Sequence, residues 1–275
     1  MLLVSCTTYQ NPEHGFREMR VAMSHDGVHF TMADKPLIGH DECPSPIRDL
    51  GGVIDCRLTK IGEDYYFIAP QGAGHMGFSG CCSVMYKTRD FRSAELIDIV
   101  SLPFNRGSSL FPQKINGYYW RLDRPGENGD AGSIWIGCSP DLVHWGQFRP
   151  LLKPGYSIWN TSKIGPTPPV RVREGWLVIV HGVDSPCDGP HYYIGAMLLD
   201  AAEPRKVIGK TQSYLLAPEM PYETNGQVDN VVFPCGCLVD EAKDEIRIYY
   251  GAADTCIGLA SGSLQQVVRA CLEGR

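Results

Sequence analysis

Five side chains spread along this 275-residue chain have the types that acid-assisted group transfer requires. Asp55 falls in the first strand of one β-rich unit. Arg124, His181 and Asp254 each come just after the second strand of a unit, at comparable places in different units. Arg106 lies just before the inner strand of the next unit. Brought to one mouth, they would supply two acids and three candidate cations. Cleavage of a glycosidic bond needs a carboxylic acid to protonate the leaving oxygen. A hydrolase also needs a second carboxylate, to activate water or to attack the sugar. Phosphate is already an anionic nucleophile, and an enzyme that uses it needs Arg, Lys, His or Tyr groups to hold it. One acid beside a basic cluster therefore favours phosphorolysis.

Such residues can meet only if a repeating scaffold carries them, and the chain repeats itself. One pattern is an apolar run ending in a polar turn: RVAMSHD (20–26), SVMYKTRD (83–90), SIWIGCSPD (133–141), YIGAMLLD (193–200) and CIGLASGS (256–263). A second precedes it: KIGEDYYFIAP (60–70), KINGYYWRLDRP (114–125), VREGWLVIVHGV (172–183) and AKDEIRIYYGAAD (242–254), with MLLVSCTTY (1–9) as the matching strand of the first copy. A third comes earlier still: GGVIDCRLTK (51–60), SSLFPQK (108–114), TPPVRV (167–172) and VVFPCGCLV (231–239). Turn signals before β-branched and aromatic runs read as strands. Repeats of about 55–60 residues with three strands and a looser fourth imply a β-propeller. The expectation is an all-β, five-bladed β-propeller with a central substrate pocket, one domain over residues 1–275. The first blade is short of its innermost strand. The segment SGSLQQVVRACLEG reads either as a short helix or as a last strand. A β-sandwich with chance similarity is the competing fold.

Composition agrees. Hydrophobic residues are 43% and charged residues 20%, with net charge −6, which excludes a disordered chain and a basic nucleic-acid-binding surface. Thirty glycines, 20 prolines and 10% aromatics favour short strands and turns. MLLVSCTTYQ has no basic leader region and only a short apolar run, so no signal peptide is expected. No stretch approaches the ~18 apolar residues of a membrane span. The 11 cysteines, an odd number, read as reduced core thiols of a cytoplasmic protein. Cys81-Cys82 and Cys235-x-Cys237 lack a second pair at zinc spacing, so no metal site is expected.

The segments GVIDCRLTKIGEDYYF, NRGSSLFP, SIWIGCSPDLVHWG, KIGPTPPVRVREGWLVIVHGV, YYIGAMLLDAAEPRKVI, YETNGQVDNVVFPCG and IYYGAADTCIGLA run in family order from about residue 51 to 260. Together they resemble glycoside hydrolase family 130, the β-mannoside phosphorylases and related mannosidases, which are five-bladed propellers. The resemblance implies that Asp55 is the catalytic acid, acting through a sugar hydroxyl. It implies that Arg106, Arg124, His181, Tyr192 and Lys163 bind phosphate, and that Arg57 and Asp254 contact the sugar. The family's E-D-P-R reads Ile54-Asp55-Cys56-Arg57 here, Asp123 stands where a His often precedes the Arg, and G-A-G-P-P reads Gly165-Pro166-Thr167-Pro168-Pro169. The implied reaction is inverting phosphorolysis of a β-1,4- or β-1,2-mannoside, including mannosyl-glucose or mannosyl-N-acetylglucosamine. It would yield α-mannose 1-phosphate, with inorganic phosphate as co-substrate and no metal or organic cofactor. Partners would be small carbohydrates, not nucleic acid or membrane, with a homo-oligomer left open.

Each residue also has a plainer reading. Asp55 could be a turn carboxylate paired with Arg57, His181 a structural strand-end histidine, Arg124 a partner of Asp123, and Asp254 a turn cap. Trp135, Trp145 and Trp176 follow the blade pattern and read as core. Trp159 and Tyr156 lie in a Pro/Gly-rich loop, where they could stack on a sugar or be exposed with no such role. Asp26, Asp90 and Asp141 read as turn residues. One rival activity is an inverting β-mannosidase with Glu219 or Glu223 as base. Another is a sugar-binding propeller without catalysis.

Overall fold

The computed structural model describes residues 1–7, 17–39, 52–72, 80–126 and 132–274. The end of the MLLVSCTTY segment and Gly51 lie outside these residues. The chain forms two compact units, Met1–Ser108 and Ser109–Arg275.

The first unit holds two antiparallel sheets. Strands β1 (Leu2–Thr7), β2 (Arg17–Met23) and β3 (Thr31–Met32) form one, in the order β1-β2-β3. Strands β4 (Arg57–Ile61), β5 (Asp64–Gly72), β6 (Cys81–Thr88) and β7 (Glu95–Ile99) form the other, as a meander. Met19, Val21, Val53, Phe67, Ala69, Val84 and Tyr86 are fused into one buried cluster.

The second unit holds three sheets. Strands β8 (Ser109–Leu110), β9 (Tyr119–Asp123), β10 (Ile134–Ser139) and β11 (Gly146–Leu152) pair in the order β11-β10-β9-β8. Next come β12 (Lys163–Pro166), β13 (Val170–Val172), β14 (Gly175–Asp184), β15 (His191–Leu199) and β16 (Val207–Lys210). Both β12 and β13 pair with β14, and β15 lies between β14 and β16. After a single helical turn, α1 (Pro221–Thr224), the last sheet is β17 (Val232–Asp240), β18 (Glu245–Ala252) and β19 (Cys256–Ser263). Five sheets in succession, each an antiparallel meander at its centre, are the blades of a five-bladed β-propeller. The repeat patterns map onto β2, β6, β10, β15 and β19, and onto β5, β9, β14 and β18. The C-terminal segment resolves as a helix, α2 (Leu264–Glu273), capped by the Ser263 hydroxyl.

The turn that ends each of the first four repeats has one chemical cause. Oδ1 of Asp26 accepts the N–H groups of Val28 and His29, and Asp90 those of Arg92 and Ser93. Asp141 does so with Val143 and His144, and Asp200 with Ala202 and Glu203. A carboxylate that closes its own turn leaves the strand at a fixed angle. These aspartates are structural, as their recurrence implies.

Two expectations are corrected. Trp159 is 1% exposed, so it is neither a sugar platform nor a surface aromatic. Its ring fills space above two glycines: a Cβ at Gly182 or Gly195 would lie 2.3 Å from it. Its indole N–H donates to Gln212 O at 3.0 Å, and Tyr156 packs edge-on against it at 5.9 Å. The thiols are also not uniformly core: the ten described cysteines are free, but Cys187 and Cys256 are exposed. Burial does push the Cys271 thiol up to about 12. Because Trp159 ties the loop before β12 to both central strands, Trp159→Ala should cost about 3–5 kcal/mol, read as a lowered urea midpoint.

Candidate active site

In the first unit, Asp55 sits just ahead of β4, not within a strand as expected. Its backbone is left-handed, with φ 44°, a conformation rare for a residue with a Cβ. The main-chain carbonyl of Asp55 accepts from Nη1 of Arg57 at 2.7 Å, and Arg57 is itself buried. The carboxylate faces Arg106, with Oδ2 3.4 Å from Nε; the two side chains are 28% and 42% exposed. Asp55 is thus a solvent-reachable acid paired across sequence with Arg106, while Arg57 braces its backbone.

In the second unit, the β12–β14–β15 sheet assembles a basic group. Lys163 pairs with Val183, and Val183 with Tyr192; one row further, Gly165 pairs with His181. Paired residues, and residues two apart on one strand, share a face of a sheet. Lys163, His181 and Tyr192 therefore project from the same face, opposite to the one Trp159 covers. His181 lies inside β14 and not after it, a second correction of register. The Lys163 Nζ is 4.9 Å from the Tyr192 ring centroid, and the His181 and Tyr192 rings are 6.2 Å apart. Phe233 of β17 closes the group, its centroid 4.5 Å from His181 and 6.1 Å from Tyr192. Sequence reasoning missed Phe233; its place in the VVFPCG segment was the one signal.

Arg124 joins this group through two glycines. A Cβ at Gly165 would lie 2.3 Å from His181 Cε1, 2.7 Å from its Nε2 and 2.9 Å from Arg124 Cδ. A Cβ at Gly132 would lie 3.1 Å from Arg124 Nη1 and 3.2 Å from Lys163 Cβ. Bare backbone at both positions lets a guanidinium, an imidazole and an ammonium-bearing stem close over one strand end. Arg124 and His181 are both buried. Asp123 engages Arg121, with Oδ1 2.9 Å from Nε, and the Arg121 guanidinium stacks 4.3 Å from the Trp145 ring. A guanidinium, an ammonium, an imidazole and a phenol gathered on one face suit an oxyanion that accepts several hydrogen bonds.

Asp254 is exposed in the turn after β18, with φ 51°. Glu223, a candidate base, is buried on α1 with all its neighbours donors: the N–H groups of Glu219 and Met220, and the Tyr250 hydroxyl. Glu219 is exposed. Among the described residues no group of three or more His, Cys, Asp or Glu could hold a metal ion. Nor is any described helix long and apolar enough to cross a membrane.

An all-β propeller carrying a solvent-reachable acid and a basic cluster has the groups that acid-assisted cleavage of a carbohydrate uses. The glycoside hydrolase family 130 profile, described as beta-1,4-mannooligosaccharide phosphorylase, matches residues 7–273, and the chain belongs to that family. It is 37% identical over 256 residues to the beta-1,4-mannooligosaccharide phosphorylase of Ruminococcus albus, covering 91% of this chain and 75% of that one. It is also 37% identical to a 1,2-beta-oligomannan phosphorylase of Thermoanaerobacter, over 87% of this chain and 76% of that protein. The solved beta-1,2-mannobiose phosphorylase of Listeria innocua, in complex with beta-1,2-mannobiose, superposes with TM-score 0.82 at 32% identity, covering 93% of this chain and 69% of the other.

The glycine requirement gives a direct check. Gly165→Ala should separate His181 from Arg124 and weaken binding of inorganic phosphate about tenfold, measured by calorimetric titration, in line with the cost of overpacking a filled site.

Proposed function

We propose that the protein is an inverting β-mannoside phosphorylase. The observation that carries this reading is the gathering of Arg124, Lys163, His181 and Tyr192 on one sheet face, in a chain 37% identical to mannoside phosphorylases. In this reading those groups, with Arg106, hold phosphate and partly neutralise it. One phosphate oxygen attacks the anomeric carbon from the face opposite the leaving sugar. The bond from that carbon to the glycosidic oxygen breaks, and Asp55 supplies the proton that makes it a hydroxyl. The proton released by the phosphate monoanion or dianion on forming its ester restores Asp55, so charge and protons balance. Asp254 and Arg57 hold the mannosyl unit in place, and the products are α-mannose 1-phosphate and a shortened sugar. No metal or organic cofactor is required. A cytoplasmic setting suits the reaction, since bond energy is conserved as a sugar phosphate only where phosphate is abundant.

Hydrolysis is less well supported. An inverting hydrolase needs a carboxylate free to activate water. Glu223 has both oxygens engaged by donors, and the basic cluster would have no task in water attack.

The test is incubation with 1,2- and 1,4-linked β-mannosides, mannosyl-glucose and mannosyl-N-acetylglucosamine, with and without inorganic phosphate. Mannose 1-phosphate should form only with phosphate. Free mannose released equally in both would make the protein a mannosidase. Asp55→Asn should lower kcat by about 10²–10⁴-fold while mannoside still binds, as loss of a general acid does. His181→Ala should raise the KM for phosphate about tenfold or more, the cost of a lost charge-assisted contact.

A further inference from the structure

Asp254 stands on a turn that is left-handed at two consecutive residues, Ala253 (φ 45°) and Asp254 (φ 51°). Such a turn persists only where its surroundings over-determine it. What surrounds it is the strap between β16 and β17. The Val228 N–H donates to Ala253 O at 3.2 Å, the Gln227 N–H to Thr255 Oγ1 at 3.1 Å, and the Ala253 N–H to Val231 O at 3.0 Å. Gly226 lies so close that a Cβ there would be 2.4 Å from Ala253 O.

The strap has one charged anchor. Glu223 is 3% exposed. Its Oε2 accepts the N–H groups of Glu219 and Met220, each at 2.9 Å, and its Oε1 accepts the Tyr250 hydroxyl at 2.6 Å. Tyr250 belongs to β18, the strand that runs into the Asp254 turn. The Val231 N–H donates to Glu223 O at 3.0 Å and closes the strap on itself. Burial by itself would raise the Glu223 carboxyl, but the backbone N–H groups and the Tyr250 hydroxyl outweigh it and hold the group below its ordinary range. A buried carboxylate so fully satisfied is a structural charge with a fixed geometry.

We propose that Glu223 is a positioning residue for the sugar-binding carboxylate: it locks the 219–231 strap to β18, and the strap fixes the Ala253–Asp254 turn. This rests on the reading of Asp254 as a mannosyl contact. The phosphate side is held differently. His181 and Tyr192 sit in the β14–β15 ladder, paired with Ile194 and Val183. Among the described residues, the 219–231 part of the strap reaches that ladder through Asn230, whose carbonyl accepts the Tyr192 N–H at 2.9 Å and whose amide lies 3.3 Å from His191 Nε2; neither contact involves the Tyr192 or His181 side chain. Loss of the anchor should therefore impair sugar binding and spare phosphate.

The experiment is steady-state kinetics with each substrate varied in turn, together with thermal unfolding. Glu223→Ala should raise the mannoside KM about tenfold or more and leave the phosphate KM within about twofold, since a buried hydrogen-bonded charge is lost. Glu223→Gln should restore the mannoside KM, because its carbonyl can accept the two N–H groups while its amide donates to Tyr250. Tyr250→Phe removes one bond only; it should shift the mannoside KM in the same direction by less, and it carries the test if Glu223→Ala does not fold. A lowered melting temperature with an unchanged mannoside KM in these variants, or equal rises in both KM values, would overturn the proposal while Asp254→Asn still weakens mannoside. An Asp254→Asn enzyme with an unaltered mannoside KM would overturn the reading of Asp254 and the role of Glu223 with it.

Discussion

Side chains on an antiparallel sheet alternate between faces, and residues paired across strands share one. In the β12–β14–β15 sheet that constraint does two things at once. Odd positions of β14 send Leu177 and Ile179 toward the core shared with β17 and β18, and send His181 to the same side at its polar end. Even positions send Val178 and Val180 to the opposite core, where Trp159 lies over Gly182 and Gly195. A slip of one residue would exchange the two faces and put His181 under the tryptophan. The gathering of Lys163, His181 and Tyr192 on one face depends on that register.

The glycines at 132, 165, 182 and 195 have a common logic, which is close approach and not a special φ. Each leaves out a Cβ so that a large side chain can lie on bare backbone. Two of them admit Trp159 on one face, and two admit Arg124, His181 and Lys163 on the other. Packing so dense tolerates little added volume. It also lets Arg124, His181 and Lys163 approach one another over bare backbone.

Asp55 and Asp254 are arranged by different means. Asp55 and Asp254 both stand on left-handed backbone at a strand end. Asp55 is braced by the buried Arg57 through its own carbonyl and faces Arg106. Asp254 is held through neighbours, by a strap anchored on a buried glutamate. Asp55 and Asp254 thus stand on turns, whereas His181 and Tyr192 stand inside a ladder.

The sequence by itself determined the strands, the five-fold repeat and the family. Those rest on local causes: alternation of apolar residues, β-branched and aromatic runs, and aspartates that close their own turns. It also marked Asp55, Arg106, Arg124, Lys163, His181, Tyr192 and Asp254 through their motifs. Only the tertiary structure decided that Asp55 faces Arg106, that Asp123 engages Arg121, that Trp159 is core, that Phe233 packs on His181 and that Glu223 is wholly engaged by donors. Apart from the Asp123–Arg121 pair, which lies within β9, these facts depend on which strand lies beside which and on the register between them. Partners distant in sequence, Tyr250 for Glu223 and Gln212 for Trp159, are chosen by packing over the whole fold, and no local pattern names them.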